Sequence, residues 1–441
     1  MVYAWLIILF LTFVLCLKNT ALGCCMLIFT RVLIPDVVRL TPYADISLNT
    51  GVIGIIFIFM IKDLFSEGNL YFIYKNQYIR SLIVFLFLLL LSVLLGDCLD
   101  FPAQLAYLRQ FFITDIFPII AIVLYARKKK ESNWLIYAML IAVYVNTIYG
   151  ISTVVIGMNP YASALDLMYS TRLEQIQDLY VNVRAGTLST SSTFSQPNQW
   201  GAFLPLAFAF HFYFYKMTKS KWVLFSLILI TICVFLCAKR TAILAYLCFW
   251  IAYGFIISPS QKMKLVIGVV CVVIVVGITI QYLPQFSGIE NLIESSIFFW
   301  DDSIRARTDV GGSSMEMRLD QAIYPWQLIS DSMVFGKGFG FSHVYINQYG
   351  LHPILKGFET ILSYAVTNGG VLGCITWAYF FISSLKFKTK NIVYKKYATL
   401  LTTTAVVIAV ANGLALIIFY GIFVVLLNKV QVIKKYMIIR N

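Results

Sequence analysis

Apolar residues run through this chain in long continuous blocks, at about 2–17, 20–34, 44–61, 80–99, 110–126, 133–157, 199–215, 222–238, 241–257, 264–282, 358–385 and 397–427. A hydrocarbon core about 30 Å thick needs about 20 residues of helix, and most blocks approach that length. They are continuous rather than alternating in period two, which predicts helices and not a β-barrel. They also recur from end to end, so one cleavable leader followed by a soluble domain does not describe the chain. Between 222 and 257 only Lys239 and Arg240 interrupt the apolar run. That stretch makes a helix about 54 Å long at 1.5 Å per residue, too long for one span, so a tight hairpin is expected at these two cations. The segment at 20–34 is short, and the last is long enough to break at Asn412–Gly413. The pattern predicts an all-α polytopic membrane protein of about 12 transmembrane helices with two large loops. Its parts are 1–157, N-terminal membrane helices; 158–198, a loop; 199–282, central membrane helices; 283–357, a large loop with an amphipathic helix; and 358–441, C-terminal helices and tail.

Composition agrees, at 60% apolar and 12% charged, where soluble domains carry about 25% charge. A net charge of +14 raises the question of nucleic acid, and the placement of the charges answers it. Connections after the third, fifth, seventh, ninth and eleventh segments hold Lys62, Lys75 and Arg80; Arg127 to Lys130; Lys216, Lys219 and Lys221; Lys262 and Lys264; and Lys386, Lys388, Lys390, Lys395 and Lys396. Against these stand only Asp63, Glu67 and Glu131. Positive loops stay in the cytoplasm, so every second connection is assigned inside, the two long loops face outward together, and the N-terminus counts back to the outside. The cations are orientation signals, not a nucleic-acid surface. Those left for the outer side are mostly arginine, whose planar fork suits phosphate and carboxylate. They either grip an anion there or pair with the outer acids. The nine cysteines form no C-x-x-C pair, and His211, His343 and His352 form no ligand spacing with them, so neither a metal site nor a disulfide framework is expected.

Chemistry concentrates from Gly311 to Gly373. Arg318 opens the amphipathic stretch RLDQAIYPWQLI, with Ile323, Trp326 and Ile329 on one side, as in a helix lying at a membrane surface. Tyr324, Trp326 and Tyr345 are either sugar-stacking rings or interface anchors. Arg305 and Arg307 lie in DDSIRARTD, where local salt bridges are expected. Gly336, Gly338 and Gly340 lack the strand of a nucleotide cradle and read as a turn back to the bilayer. Glu359, preceded by His352 and Lys356, sits in the first turn of the segment at 358–385, either as a helix-capping acid or as a general base. In the shorter loop, Arg184 precedes the helix start at Pro197–Asn198, where Ser195 or Asn198 is the expected cap. Exposed amides there make an anion site, or the start is merely polar.

Arg184 through Phe194-Ser195 and Pro197-Asn198 to Leu204, K-R-T-A-I-L-A at 239–245, Arg318 with Trp326, G-x-G-x-G at 336–340 and G-G-V-L-G at 369–373 together resemble the O-antigen polymerase and O-antigen ligase superfamily over about 180–385. The resemblance implies a GT-C-like bacterial inner-membrane glycosyltransferase that uses neither nucleotide sugar nor metal nor other cofactor. Its implied substrates are undecaprenyl-diphosphate-linked oligosaccharide repeat units, handled at the periplasmic face, with membrane lipid and a chain-length regulator protein as further partners. It assigns diphosphate binding to Arg184, Arg240 and Arg318; read from the residues themselves, Lys239 joins them and Asn198, Tyr324, Trp326 and Tyr345 are the candidate sugar contacts. Catalysis falls to Arg240 and Glu359, with His352 as a displaced equivalent of the ligase histidine. Ligases carry His-Asn where this chain has Glu359-Thr360, which points to a polymerase; a ligase and a non-enzymatic flippase of the same glycolipids are the alternatives. A cysteine introduced at Ser313 is expected to react with an impermeant maleimide offered to the periplasm, and reaction only after lysis inverts the orientation.

Overall fold

The computed structural model describes residues 2–39, 46–65, 68–168, 181–184, 187–262, 288–298, 301, 303–304, 315–385, 392–413 and 417–440. The apolar segment at 264–282, Arg305, Arg307, Lys386, Lys388 and Lys390 lie outside them.

The first half is built from α1 (Val2–Lys18), α2 (Thr20–Leu33), α3 (Leu48–Leu64), α4 (Asn69–Lys75), α5 (Gln77–Leu95), α6 (Phe101–Phe111), α7 (Phe117–Tyr125), α8 (Lys129–Ile156) and α9 (Pro160–Met168). One wide turn, Phe112–Ile116, carries α6 straight into α7. A hairpin of two three-residue strands, β1 (Asn182–Arg184) and β2 (Thr187–Ser189), precedes α10 (Pro197–Thr218), α11 (Lys221–Leu236) and α12 (Arg240–Ile256). Then come α13 (Gly288–Ile297), α14 (Met315–Leu328), α15 (Phe341–Tyr349), α16 (Ile361–Leu385), α17 (Ile392–Asn412) and α18 (Ile417–Arg440). Polar residues placed just before the apolar runs start several of them. Asn19, Ser47, Asn76 and Asp100 each accept a hydrogen bond from a backbone N–H of the first turn, satisfying donors that no helix can satisfy internally.

Among the described residues, four helical runs are long and apolar enough to cross a membrane, namely Gln77–Leu95, Phe101–Tyr125, Lys129–Ile156 and Ile361–Leu385, or five if the bent pair α3 and α4 counts as one span. Five more apolar helices have 10–17 residues. The hairpin expected at Lys239 and Arg240 is present, since α11 stops at Leu236 and α12 begins at Arg240. The last apolar block breaks after Asn412, as its length requires.

Lys18, Lys62, Arg127 and Lys128 line one polar pocket, so the α1–α2 turn lies at the lysine end of the first half. There Asp63 Oδ2 accepts from Thr20 Oγ1 and Tyr125 OH, both at 2.7 Å.

Two features of the opposite end depart from expectation. The polar stretch 189–196, assigned by sequence to an outer loop, is buried from Ser189 to Ser195. Asn146 of α8 is its hub, donating to Thr193 Oγ1 at 2.6 Å and accepting from Trp200 Nε1 at 2.8 Å. Small hydroxyl residues suit this place because each satisfies neighbouring backbone groups while filling little volume.

The second feature is a break in α16. Gly370 has φ 57° and ψ −143°, so the helix stops and restarts there. The loop 333–337 fills the gap: Val371 N and Leu372 N donate to Met333 O and Val334 O at 2.9 and 3.0 Å, while Lys337 N donates to Thr367 O at 2.8 Å. The two glycine motifs, G-x-G-x-G and G-G-V-L-G, therefore form one joint. A Cβ on Gly336, whose φ is +62°, would stand 2.6 Å from Gly370 N. From α6, Gln104 Nε2 ties the loop down by donating to Lys337 O and Gly338 O at 2.9 and 2.8 Å. Gly336→Ala is expected to cost roughly 2–4 kcal/mol, seen as a lowered melting temperature in detergent, because overlap with backbone adds to left-handed strain. Gly54→Ala in α3, where a Cβ meets nothing within 4 Å, is the control that should leave melting unchanged.

Candidate active site

Ring contacts orient the central helices. Phe212, late in α10, lies 4.9 Å from Tyr253, late in α12, and its neighbour Tyr213 lies 4.8 Å from Tyr397, early in α17, between centroids. The other ends of these helices consequently gather together: the start of α10, the α11–α12 turn with Lys239 and Arg240, and Asn412. Gly201 in α10 bears on the same contact, since a Cβ there would lie 3.3 Å from the Cβ atoms of Lys239 and Ala242. The buried stretch beneath joins in, Ser189 Oγ donating to Cys237 O at 3.0 Å. Ser191 and Ser195 keep buried hydroxyls with no hydrogen-bond partner among the described residues. The cap of α10 is Gln196, rather than Ser195 or Asn198. Pro197 at the first helical position forces the residue before it into extended backbone, and Asn198 then falls within the first turn. Arg184 ends β1, three residues before β2 begins.

The mouth of α16 reaches this same end, because a Cβ on Gly413, just past α17, would stand 2.9 Å from Glu359 O. Glu359 lies outside the helix. Thr360 and Ser363 cap α16 reciprocally, Ser363 N donating to Thr360 Oγ1 at 3.0 Å and Thr360 N to Ser363 Oγ at 3.3 Å. The apolar pattern puts Glu359 in the first turn; the cap moves it two residues upstream of that helix. Its carboxylate faces Arg318, with Oε2 3.6 Å from Nη2. Arg318 Nη1 also donates to Oε1 of Gln321 at 2.9 Å, and Gln321 is fully buried. Partial burial draws the pKa of the Arg318 guanidinium down from its usual value, and Glu359 opposes that shift. Arginine stays charged regardless, and its remaining N–H groups still serve as donors.

His352 stands at the centre of a tight turn. Its Nδ1 accepts from Ile354 N and Leu355 N at 3.2 and 3.1 Å, and its backbone exchanges two hydrogen bonds with Lys356. Lys356 and Phe358 both hold positive φ, a concentration of backbone strain of the kind found at functional sites. Tyr324 and Tyr345 pack against the imidazole at centroid distances of 5.3 and 5.4 Å. Trp326 points elsewhere, sharing an exposed apolar stripe of α14 with Leu319 and Ile323; Ile329, expected on that stripe, is buried past the end of the helix. The structure thus assembles Arg318, Glu359, His352, Tyr324 and Tyr345 around one turn, and places Lys239, Arg240 and Asn198 at the same end of the bundle. Gln321, Asn146 and Gln104 were missed by sequence, although an amide inside an apolar run is itself a signal.

A mostly helical bundle with apolar spans and this polar end is that of an integral membrane protein with a candidate site at one end. Residues 225–378 match the protein-family model described as O-antigen ligase. No curated protein matches the chain. The match covers 154 of 441 residues, and over that stretch the chain is similar to the O-antigen ligase family. The matched stretch contains Lys239, Arg240, Arg318, His352 and Glu359, whereas Arg184 and Asn198 precede it.

Burial lowers the His352 pKa from 6.5, so the unfolded chain binds this proton more readily than the folded turn does. The stability this contributes is present above pH 6.5 and is lost as pH falls below it. Melting temperature is expected to drop on acidification from about pH 7 to about pH 5. His352→Asn, whose Oδ1 can accept the same backbone N–H groups, should flatten that part of the slope.

Proposed function

We propose that this protein is an O-antigen polymerase of the bacterial inner membrane. It moves the growing glycan from undecaprenyl diphosphate to the non-reducing-end hydroxyl of an incoming lipid-linked repeat unit at the periplasmic face. The observation that carries the reading is the Arg318–Glu359 pair at the mouth of α16, inside the matched stretch. In the reaction, the acceptor oxygen bonds to the anomeric carbon of the donor as the bond from that carbon to the diphosphate oxygen breaks. The proton of the hydroxyl passes to a base, and polyprenyl diphosphate departs. Charge grows on the diphosphate during this step, so preorganised guanidinium groups stabilise the transition state more than the ground state, by about 3 kcal/mol each if they act as oxyanion-hole donors do. Arg240 and Arg318 supply that charge, assisted by Lys239 and Arg184.

Pairing gives Glu359 its place in the sequence of events. A diphosphate arriving at Arg318 occupies donors that otherwise face the carboxylate, and Glu359 is left to accept the proton of the acceptor hydroxyl. The ligase reading would use His352 instead. Its Nδ1 is already taken by two backbone N–H groups, which favours a structural role for the ring and the polymerase over the ligase. Tyr324 and Tyr345 then act mainly through His352, and Trp326 as a membrane anchor.

Deletion of the gene should leave lipopolysaccharide capped with a single repeat, whereas loss of all O-chain points to a ligase or flippase. In that strain Arg240→Ala at normal protein level should restore no ladder, and a wild-type ladder removes the diphosphate assignment. Glu359→Gln should slow extension by about a hundredfold or more, the usual range for losing a general base, with donor binding retained; an unchanged rate leaves Glu359 as a structural partner of Arg318.

A further inference from the structure

α15 has two faces, and only one belongs to the site described above. Phe341 and Tyr345 face Phe358 and His352. His343 and Asn347 lie on the other face, lining a cavity of about 540 Å³ with Tyr107 and Gln110 of α6. Tyr107 and His343 are stacked, with centroids 4.5 Å apart and planes 23° from parallel. Asn347 Nδ2 donates to His343 Nε2 at 3.1 Å. A rigid ring wall fringed by amides, each offering donor and acceptor together, is the chemistry that hydroxyl-rich rings require.

This cavity, whose wall mixes polar and apolar side chains, has an apolar neighbour. Arg109 and Ala106 line both it and a second groove of about 640 Å³ between α5 and α6, whose other walls are apolar and include Leu86, Leu90, Leu105 and Phe112. Arg109 thus stands where the polar part meets the apolar part. It is exposed, and its guanidinium has no side-chain partner among the described residues. An unpaired cation within an apolar membrane-crossing run is costly and marks a site where charge is met by a ligand. The order along the groove is apolar wall, guanidinium, then ring and amides, which is the order of parts in a lipid-linked phosphosaccharide.

We propose that this two-part groove binds a polyprenyl-phosphate-linked saccharide: the isoprenoid chain along α5 and α6, the phosphate at Arg109, and the sugars against Tyr107, His343 and Asn347. Resting on the polymerase reading, it is the seat of the second lipid-linked substrate, the acceptor, with α15 as the wall separating it from the donor end. A polymerisation that joins two membrane-borne glycans needs two such seats.

The test is photolabelling of the full-length protein in nanodiscs with a benzophenone-tagged polyprenyl diphosphate carrying N-acetylglucosamine, and with the same lipid lacking sugar, followed by peptide mapping. Labelling of residues 86–112 by the sugar-bearing probe is expected, reduced about tenfold by Arg109→Ala and partly restored by Arg109→Lys, as loss of a charge-assisted contact predicts. Asn347→Ala should weaken labelling by the sugar-bearing probe alone. Equal labelling in Arg109→Ala, or full displacement by matched phosphatidylglycerol, overturns the proposal and makes the groove a seat for ordinary lipid. Labelling of residues 315–328 reports the donor end separately. Its loss in Arg318→Ala without change at 86–112 keeps the two readings independent, so either fails without the other.

Discussion

A helix interrupted inside a membrane exposes backbone N–H and C=O groups that lipid cannot satisfy and that water reaches only with difficulty. The break at Gly370 is of this kind, and the protein answers it with backbone from elsewhere. Met333 and Val334 lend carbonyls to Val371 and Leu372, and Lys337 takes the carbonyl that Thr367 would have given to the next turn. Because these bonds are obligatory, the loop is fixed in depth and rotation. The chain downstream of the loop inherits that position. Asn368, two residues before the break, accepts from Ser342 N at 3.0 Å and so sets the start of α15. From there the chain makes the strained turn around His352 and arrives at Glu359. The site at the mouth of α16 is therefore held from both sides of one defect in a single helix.

The Arg318–Glu359 pair adds little stability of its own. Both side chains are partly exposed, at 31% and 47%, and pairs in that environment contribute about 0–1 kcal/mol. Its importance is positional. A guanidinium already oriented by Gln321 and by a carboxylate would lose less freedom were an anion to replace the carboxylate, as the proposed function requires. Turn strain at Lys356 and Phe358 serves the same end, because two left-handed non-glycine residues persist only where surrounding contacts over-determine them.

How much of this could be read from sequence depended on whether a residue's role was set by its own neighbourhood. The hairpin at Lys239 and Arg240 was legible because no single span accommodates the apolar run around it. The helical class was legible from continuity of the blocks, and the break at Asn412 from block length. Roles set by distant partners were not. The Ser/Thr run at 189–195 looks like a solvated loop, and only the amide of Asn146 in another helix explains why it is buried. Glu359 looks like a first-turn acid, and only the Thr360–Ser363 cap shows that the helix begins after it. The two glycine motifs, some thirty residues apart, gave no sign of being one joint, since they are united by backbone hydrogen bonding that any sequence could donate. Arg109 was invisible for a related reason: it falls between the apolar segments at 80–99 and 110–126, and nothing in its own neighbourhood announces the side chains that α15 sets beside it.

The placement of α15 links the broken span to the chemistry. Nine residues long, it is too short to be stable alone, and it is held by Asn368 at its start, by rings on one face and by the stack on Tyr107 at the other. One of its faces packs on the His352 turn and the other lines a cavity with Arg109. A short helix pinned to the broken span in this way would, on the proposed reading, hold the two proposed anion sites in a set relation to each other. The proposed reaction between two lipid-borne glycans would require a constraint of that kind, since each lipid is confined to the membrane and only the sugars are free to meet. The joint at Gly370 then matters to chemistry and not merely to folding: moving it would shift α15, and with it the distance between the two guanidinium groups.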